Sequence, residues 1–444
     1  MAGGVWTSQN KIRPGAYINF ESARPVSIEV GDRGIATLAM ELDWGAEDKL
    51  IEVTLGDLIG GNALALIGLM ASDEKALLAN LALQNAAVLK IYKLNKGGEK
   101  ATLKNGDNMD ITAKYAGAFG NKIAIIITPD NDGEQMNVQT YANGYLADVQ
   151  RVSKVEDLVE NAFVTFSGSG EIVEMSSTLL SGGTSGTVTE ESTEYDKYFK
   201  LLRVSKWNTL AITVDDDTIK DSTISFIETM REDEGKYVQA VIANYAEADY
   251  EGIINNVNGV VMNDKEITAA QFCAWVAGAN AGAEIVESIT GKVVTGATSI
   301  TDLKTNSEIV EGLKNGQFLL SLNQDGAVKV EKDINSLHTF TEKSYIFSKN
   351  RVIRELDEIG SGIERIWETT YLGKVTNNEN GRTLFKSSII DYLTELQNRG
   401  AIDEFDSNSI IVEAGDDIDA VIASIAIKPL DSMEFLYMTV NIDQ

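Results

Sequence analysis

Three consecutive carboxylates, Asp215, Asp216 and Asp217, close the strand-like run TLAITVD, a position from which acidic groups can bind a metal or work as an acid and base pair. A solvated turn is the plainer use of such a run. The single histidine, His338 in INSLHTFTEK, would need a nucleophile beside it to form a triad, and the surrounding residues read as structural. Cys273 lies in the apolar helical stretch AAQFCAWVAG and reads as core packing. As the only cysteine, it excludes an internal disulfide framework and a thiolate zinc cluster.

The glycine-rich segments carry no more. SGGTSG (181–186) has no following lysine and lacks the P-loop pattern, and YAGAFGNK lacks the strand-then-helix setting of a dinucleotide fingerprint. PDNDGEQ opens like a calcium loop, but the twelfth position from Asp130 is Tyr141, so the segment reads as a hairpin turn. No catalytic residue, metal site or cofactor is expected.

The elements that would position such groups come next. The 444 residues are enough for about three domains. The most apolar stretch, DLIGGNALALIGLMA, is too short and too glycine-broken to span a membrane. The first residues lack the apolar segment of a signal peptide, so a chain first folded in a cytoplasm is expected. A net charge of −29 argues against nucleic acid or an anionic membrane as principal partner. Residues 343–386 depart from it, with eight basic against six acidic residues. They read either as a helix laced with its own salt bridges or as a surface for an acidic partner.

SDEKALLANLALQNA (72–86) predicts a helix, AVLKIYKL a strand, and NKGG (95–98) a boundary. From 99 to about 186, short alternating runs separated by Gly, Asn and Asp predict an all-β sandwich or barrel. From about 195 to 333, strand and helix alternate: TLAITVD, STISFIETMREDEG, YVQAVIAN, EADYEGIINNV, GVVMN and TAAQFCAWVAGANAG, with EADYEGIINNV read as a helix. That succession implies a largely parallel sheet covered by helices. Val352, Leu356, Ile359, Ile363 and Ile366 mark a long amphipathic helix, in which Gly360 and Gly362 predict a kink. SSIIDYLTELQNRG predicts a second helix capped by Ser387 or Ser388, followed by the strand-like runs SIIVE, AVIASIAIKP and EFLYMTVNI.

Both ends of the chain are strand-like without an obvious partner. GAYINF at the front is followed by ESARP, which offers no hairpin return, and the closing strand shows apolar or aromatic groups on both faces. An uncovered strand of this kind is an aggregation hazard, which internal pairing or donation to a neighbouring subunit would resolve. A donor at each end can join neighbours in an open helical array.

KIRPGAYINF, the stretch from FTEKSYIFSKNRVIRELDEIG to SSIIDYLTELQNRGAI, and the closing IAIKPLDSMEFLYMTVNI resemble the contractile tail sheath proteins of bacteriophages, in the form found in phages and defective prophages of Gram-positive bacteria. The resemblance covers essentially the whole chain. It implies an α/β plus β architecture: an N-terminal donor-strand arm (1–25), the first part of the core (26–98), an inserted β-sandwich (99–186), a non-catalytic subtilisin-like α/β domain (187–333) and an α+β C-terminal sheath domain ending in a second arm (334–444). It implies Tyr17, Ile18 and Phe20 in one donated strand, Phe435, Tyr437, Met438 and Val440 in the other, and receiving strands among SIIVE and AVIASIAIKP. Lys349, Arg351, Arg354 and Arg365 become candidates to face the tail tube.

The implied partners are further copies of the chain in stacked rings, the tube protein, and baseplate and tail terminator proteins, with neither nucleic acid nor direct membrane binding. The implied location is the tail of a virion or tail-like particle assembled in the host cytoplasm. Two other readings compete. One is an acidic α/β hydrolase using Asp215 to Asp217 with the sandwich as a binding module; the other is a surface-layer or adhesin subunit, which the missing signal peptide opposes.

Overall fold

The computed structural model describes residues 2–4, 15–17, 33–130 and 133–442. Its centre is a seven-stranded sheet in the order Gln317–Phe318, Ile253–Asn256, Gln239–Ala243, Thr209–Ala211, Ile35–Met40, Val88–Lys93, Leu50–Val53. All neighbours in it are parallel except the last pair. Parallel strands covered on both faces need near-continuous apolar runs, and Gln239–Ala243 and Ile253–Asn256 are buried at every position.

The helix Ala269–Gly282 crosses one face of this sheet. It starts at a capping box in which Thr268 and Gln271 satisfy each other's backbone N–H groups. Trp275 and Phe272 are buried in it, and Gly278 lets the helix Leu77–Leu83 approach so closely that a Cβ would stand 2.1 Å from the Ala82 carbonyl. Cys273 is buried here, and burial pushes its thiol well above the usual range.

Residues 102–179 form a sandwich of two antiparallel sheets, Tyr145–Val152, Met136–Ala142, Ile123–Pro129, Met175–Leu179 against Val164–Gly168, Met109–Ala113, Thr102–Asn105. The period of two is visible in Ile123, Ile125 and Ile127, all buried, against Ala124 and Ile126, which are half-buried. Pro129 pairs with Met136 at the end of the antiparallel pair Ile123–Pro129 and Met136–Ala142, and the middle of PDNDGEQ lies outside the described residues. Trp44, from the central body, is fully buried in the sandwich core against Tyr115, Phe119 and Phe163.

The C-terminal part consists of the helices Asn350–Ile366 and Glu379–Asn398 and the hairpin Ile411–Ala414 with Val421–Ser424. Among the described residues, no helix is long and apolar enough to cross a membrane.

Three expectations about elements are corrected. EADYEGIINNV holds a strand, Ile253–Asn256, not a helix: the β-branched pair Ile253 and Ile254 is buried between two parallel neighbours, and that packing outweighs the acidic residues before it. The helix Asn350–Ile366 runs unbroken through Gly360 and Gly362. These glycines admit neighbours, since a Cβ would fall 2.6 Å from the Tyr237 ring at Gly360 and 2.1 Å from the Tyr392 hydroxyl at Gly362. The irregularity comes later, as the π-helical turn Trp367–Tyr371. The last helix begins at Glu379 rather than near Ser387, because the Asn378 side chain accepts from the Gly381 N–H at 2.8 Å and caps it.

Candidate assembly interface

The groups that could have carried chemistry are occupied structurally. Asp216 caps the helix Asp217–Glu228 by accepting from the Ile219 N–H, and Asp215 and Asp217 flank the buried Lys220 ammonium at 2.5 and 3.0 Å. His338 closes a loop: its backbone N–H donates to Asp249 at 2.7 Å, and its Nδ1 lies 2.9 Å from the Ser336 carbonyl. No cluster of three or more metal-ligating side chains occurs among the described residues.

Three of the four tube-facing candidates, Lys349, Arg351 and Arg354, are buried within the subunit, which corrects the expectation for them; the other basic residues of 343–386 are half-buried or exposed. Arg354 is fully buried, whereas Leu356 on the supposedly apolar face is only half-buried. The Arg354 guanidinium donates to Asn280 Oδ1, the Glu287 carbonyl and Asp333 Oδ2, each at 2.7 Å. Asn280 donates in turn to Thr209 and Gln239 at 2.9 Å, and Asn350 donates to Asp333 at 3.0 Å. One buried polar seam therefore joins the sheet, the helix Ala269–Gly282 and the helix Asn350–Ile366. Arg231 adds a bidentate pair with Asp357 at 3.0 and 2.7 Å.

Arg351 is buried beside Glu355, 3.4 Å from it. Lys349 is buried against Asp431 and Glu434. Arg365 is partly exposed and 3.8 Å from Glu358. The sequence signal for the seam was Asn350 sharing the turn spacing of Arg354 and Asp357, a polar stripe too rich in amide and paired charge for a purely solvated face.

The opposite pattern holds at the chain's end. The hairpin Ile411–Ala414 with Val421–Ser424 has only two strands, and among the described residues no third strand pairs with either edge. Val412 and Val421 lean on the cluster of Ile389, Tyr392, Leu393 and Leu396, while Ile411, Ile422 and Ile418 face solvent. Of the three strand-like runs at the end, EFLYMTVNI forms no strand within the chain. It leaves the body with Phe435, Leu436, Tyr437, Met438 and Val440 exposed, Tyr437 to 92%. At the front, Gly15–Tyr17 pairs in parallel with Ala2–Gly4, and Ile18 and Phe20 lie outside the described residues.

Comparison with known proteins identifies the family. Four family models match in succession: the tail sheath protein Gp18 domain III N-terminal region over 33–94, the phage tail sheath protein beta-sandwich domain over 96–187, its central domain over 190–336 and its C-terminal domain over 342–443. The chain is 32% identical over 475 residues to the phage-like element PBSX protein XkdK of Bacillus subtilis, covering 100% of each. A tail sheath protein of a Clostridium difficile phage, phiCD119, is 30% identical over 246 residues, which is 55% of this chain and 67% of that protein. The crystal structure of a sheath tail protein from Desulfitobacterium hafniense superposes with a TM-score of 0.80 at 39% identity, over 95% of this chain and 98% of that one. These likenesses do not support the hydrolase reading. The chain belongs to the phage tail sheath protein family, and it is a structural component of contractile tails, not an enzyme.

Proposed function

We propose that copies of this chain stack as rings around a tail tube and hold one another by strand donation, the closing segment of one subunit completing the two-stranded hairpin of the next. The carrying observation is the complementarity within one chain: a hairpin with unpaired edges, and an extended segment whose backbone and apolar side chains are both unsatisfied. Burying Phe435, Tyr437, Met438 and Val440 on a neighbour stabilises the contact by about 1.5–3 kcal/mol per fully buried large side chain, with the ladder hydrogen bonds added. Tyr17, Ile18 and Phe20 form the donor at the other end, so each subunit reaches more than one neighbour. Of the four tube-facing candidates, Arg365 alone keeps that role.

The sheath assembles in the host cytoplasm, in company with tube, baseplate and terminator proteins. The parallel sheet and its helices correspond to the subtilisin-like domain of the family, used as a scaffold. The extended lattice is metastable, and contraction slides subunits into tighter packing while the arms keep them tethered. The energy is stored at assembly and released from the baseplate ring by ring, a few kcal/mol for each subunit, so no nucleotide or cofactor enters the cycle. The test is electron microscopy of the purified chain beside a version truncated after Phe435. Tubes or stacked rings from the full chain and discrete particles from the truncated one are expected; tubes of equal order from both would overturn strand donation by this arm.

A further inference from the structure

Along residues 431–442 the usual sorting of side chains is inverted. Met433, Phe435, Leu436 and Tyr437 point into solvent, whereas the side chain of Glu434 is 6% exposed. Its carboxylate meets the Lys349 ammonium, itself only 7% exposed, and accepts from the Thr290 hydroxyl at 2.9 Å. Lys349 also holds Asp431 at 3.2 Å, and Arg351 donates to the Ser432 hydroxyl at 3.2 Å. Burial would lower the Lys349 ammonium, but the hydrogen bonds and charges of Glu434 and Asp431 raise it above its ordinary range, so Lys349 stays charged at neutral pH.

Two further contacts bound the region. Upstream, Ile402 bridges Pro429 and the Leu430 N–H donates to the Ala401 carbonyl at 3.0 Å. Downstream, the Lys332 ammonium lies 5.6 Å over the Phe435 ring. Past that point, residues 436–442 make no hydrogen bond with the other described residues.

We propose that Lys349, Thr290, Glu434 and Asp431 form an ionic clasp that pins the stem of the C-terminal arm and places its pivot at Phe435–Leu436. The clasp rests on the strand-donation reading for its purpose. The nine residues from Leu436 to Gln444 reach about 30 Å at full extension, so the clasp decides which neighbour's hairpin lies within range. Opening it would free the chain back to Pro429 and lengthen the tether by about two-thirds, which admits wrong neighbours. A buried carboxylate and ammonium suit this role, because separating them strands two charges. Lys349 and Thr290 act on assembly only through Glu434 and Asp431, and are positioning residues.

The test uses the full chain with Cys273→Ala, spin-labelled at Met433→Cys and Val204→Cys, both exposed positions. Pulsed electron-electron distance measurements are made at a dilution where light scattering reports monomers. A single narrow distance is expected, lost in Glu434→Ala and recovered in the charge swap Lys349→Glu with Glu434→Lys and Asp431→Asn, the last removing the carboxylate that would oppose the new one at position 349. Assembly followed by light scattering should slow in Glu434→Ala and recover in the swap. A narrow distance in Glu434→Ala, or a swap that recovers neither readout, would overturn the clasp. If the unaltered chain fails to assemble, strand donation falls while the monomer distances still decide the clasp.

Discussion

The seam around Arg354 and the arm beyond Phe435 invert each other. In the seam, charged and amide groups from residues as distant as Thr209 and Asn350 are buried and bonded to one another, with Arg354 Nε the one buried atom of that residue left without a partner. In the arm, aromatic and aliphatic groups are exposed, and the backbone beside them is unpaired. A buried polar network is tolerable only when it is complete, and an exposed apolar strand only when something covers it. The seam finds nearly all of its partners within one subunit; the arm does not. The two regions thus separate what a subunit needs in order to fold from what it offers to others, and substitutions should divide along the same line.

The largest effect on the fold is expected in the seam. Arg354→Met removes one partner of a buried pair and leaves the Asp333 side chain without its guanidinium, a change that typically costs about 3–5 kcal/mol. Urea denaturation of the dilute monomer should show a loss of that order. A loss under about 1 kcal/mol would mean that the seam is hydrated and does not lock the C-terminal helices to the sheet.

A smaller effect, with a distinct pH signature, is expected at Glu355. Its side chain is buried, neither carboxylate oxygen has a hydrogen-bond partner, and burial together with Asp431 pushes it up to about 8 despite Arg351 and Arg354. The folded state therefore keeps a proton that the unfolded chain releases near its ordinary value of 4.5. Because the native state binds more protons throughout that window, the contribution is full below pH 4.5 and is lost as pH rises to about 8. The slope cannot exceed about 1.4 kcal/mol per pH unit. Glu355→Gln should flatten the stability profile across this window, and an unchanged slope would show that Glu355 is ionised and paired with Arg351.

How much of this was legible in the sequence depended on the range of the interaction. The sandwich's period of two and the helix in TAAQFCAWVAGANAG are local patterns and read directly, whereas the β/α alternation failed at EADYEGIINNV, where burial between parallel neighbours decides. Gly360 and Gly362 did not, because a helix-breaking residue and one that admits a tyrosine look alike until Tyr237 and Tyr392 are placed. Arg354 was read as a surface cation because its partners Asn280 and Asp333 lie far away along the chain. The closing run was read as a strand, and its composition is that of one; among the described residues it pairs with nothing.

That last point yields the smallest expected effect on the fold and the sharpest test of the comparison. Leu436 and Tyr437 are 84% and 92% exposed, so the folded monomer gains almost nothing from them. Replacing both with Ser should shift monomer stability by no more than about 0.5 kcal/mol, the range of surface substitutions. The same pair should abolish or severely weaken tube formation, since in a completed hairpin these side chains would be buried on a neighbour and their truncation would remove apolar area at about 25 cal/mol for each Å². Arg354→Met, with the arm intact, should show the reverse ranking: a large loss of monomer stability with assembly retained wherever the chain is still folded. If the arm substitutions instead lowered monomer stability as much as the seam substitution, the arm would be folding back on its own subunit in solution. The division between a self-contained body and an unsatisfied strand would then be wrong.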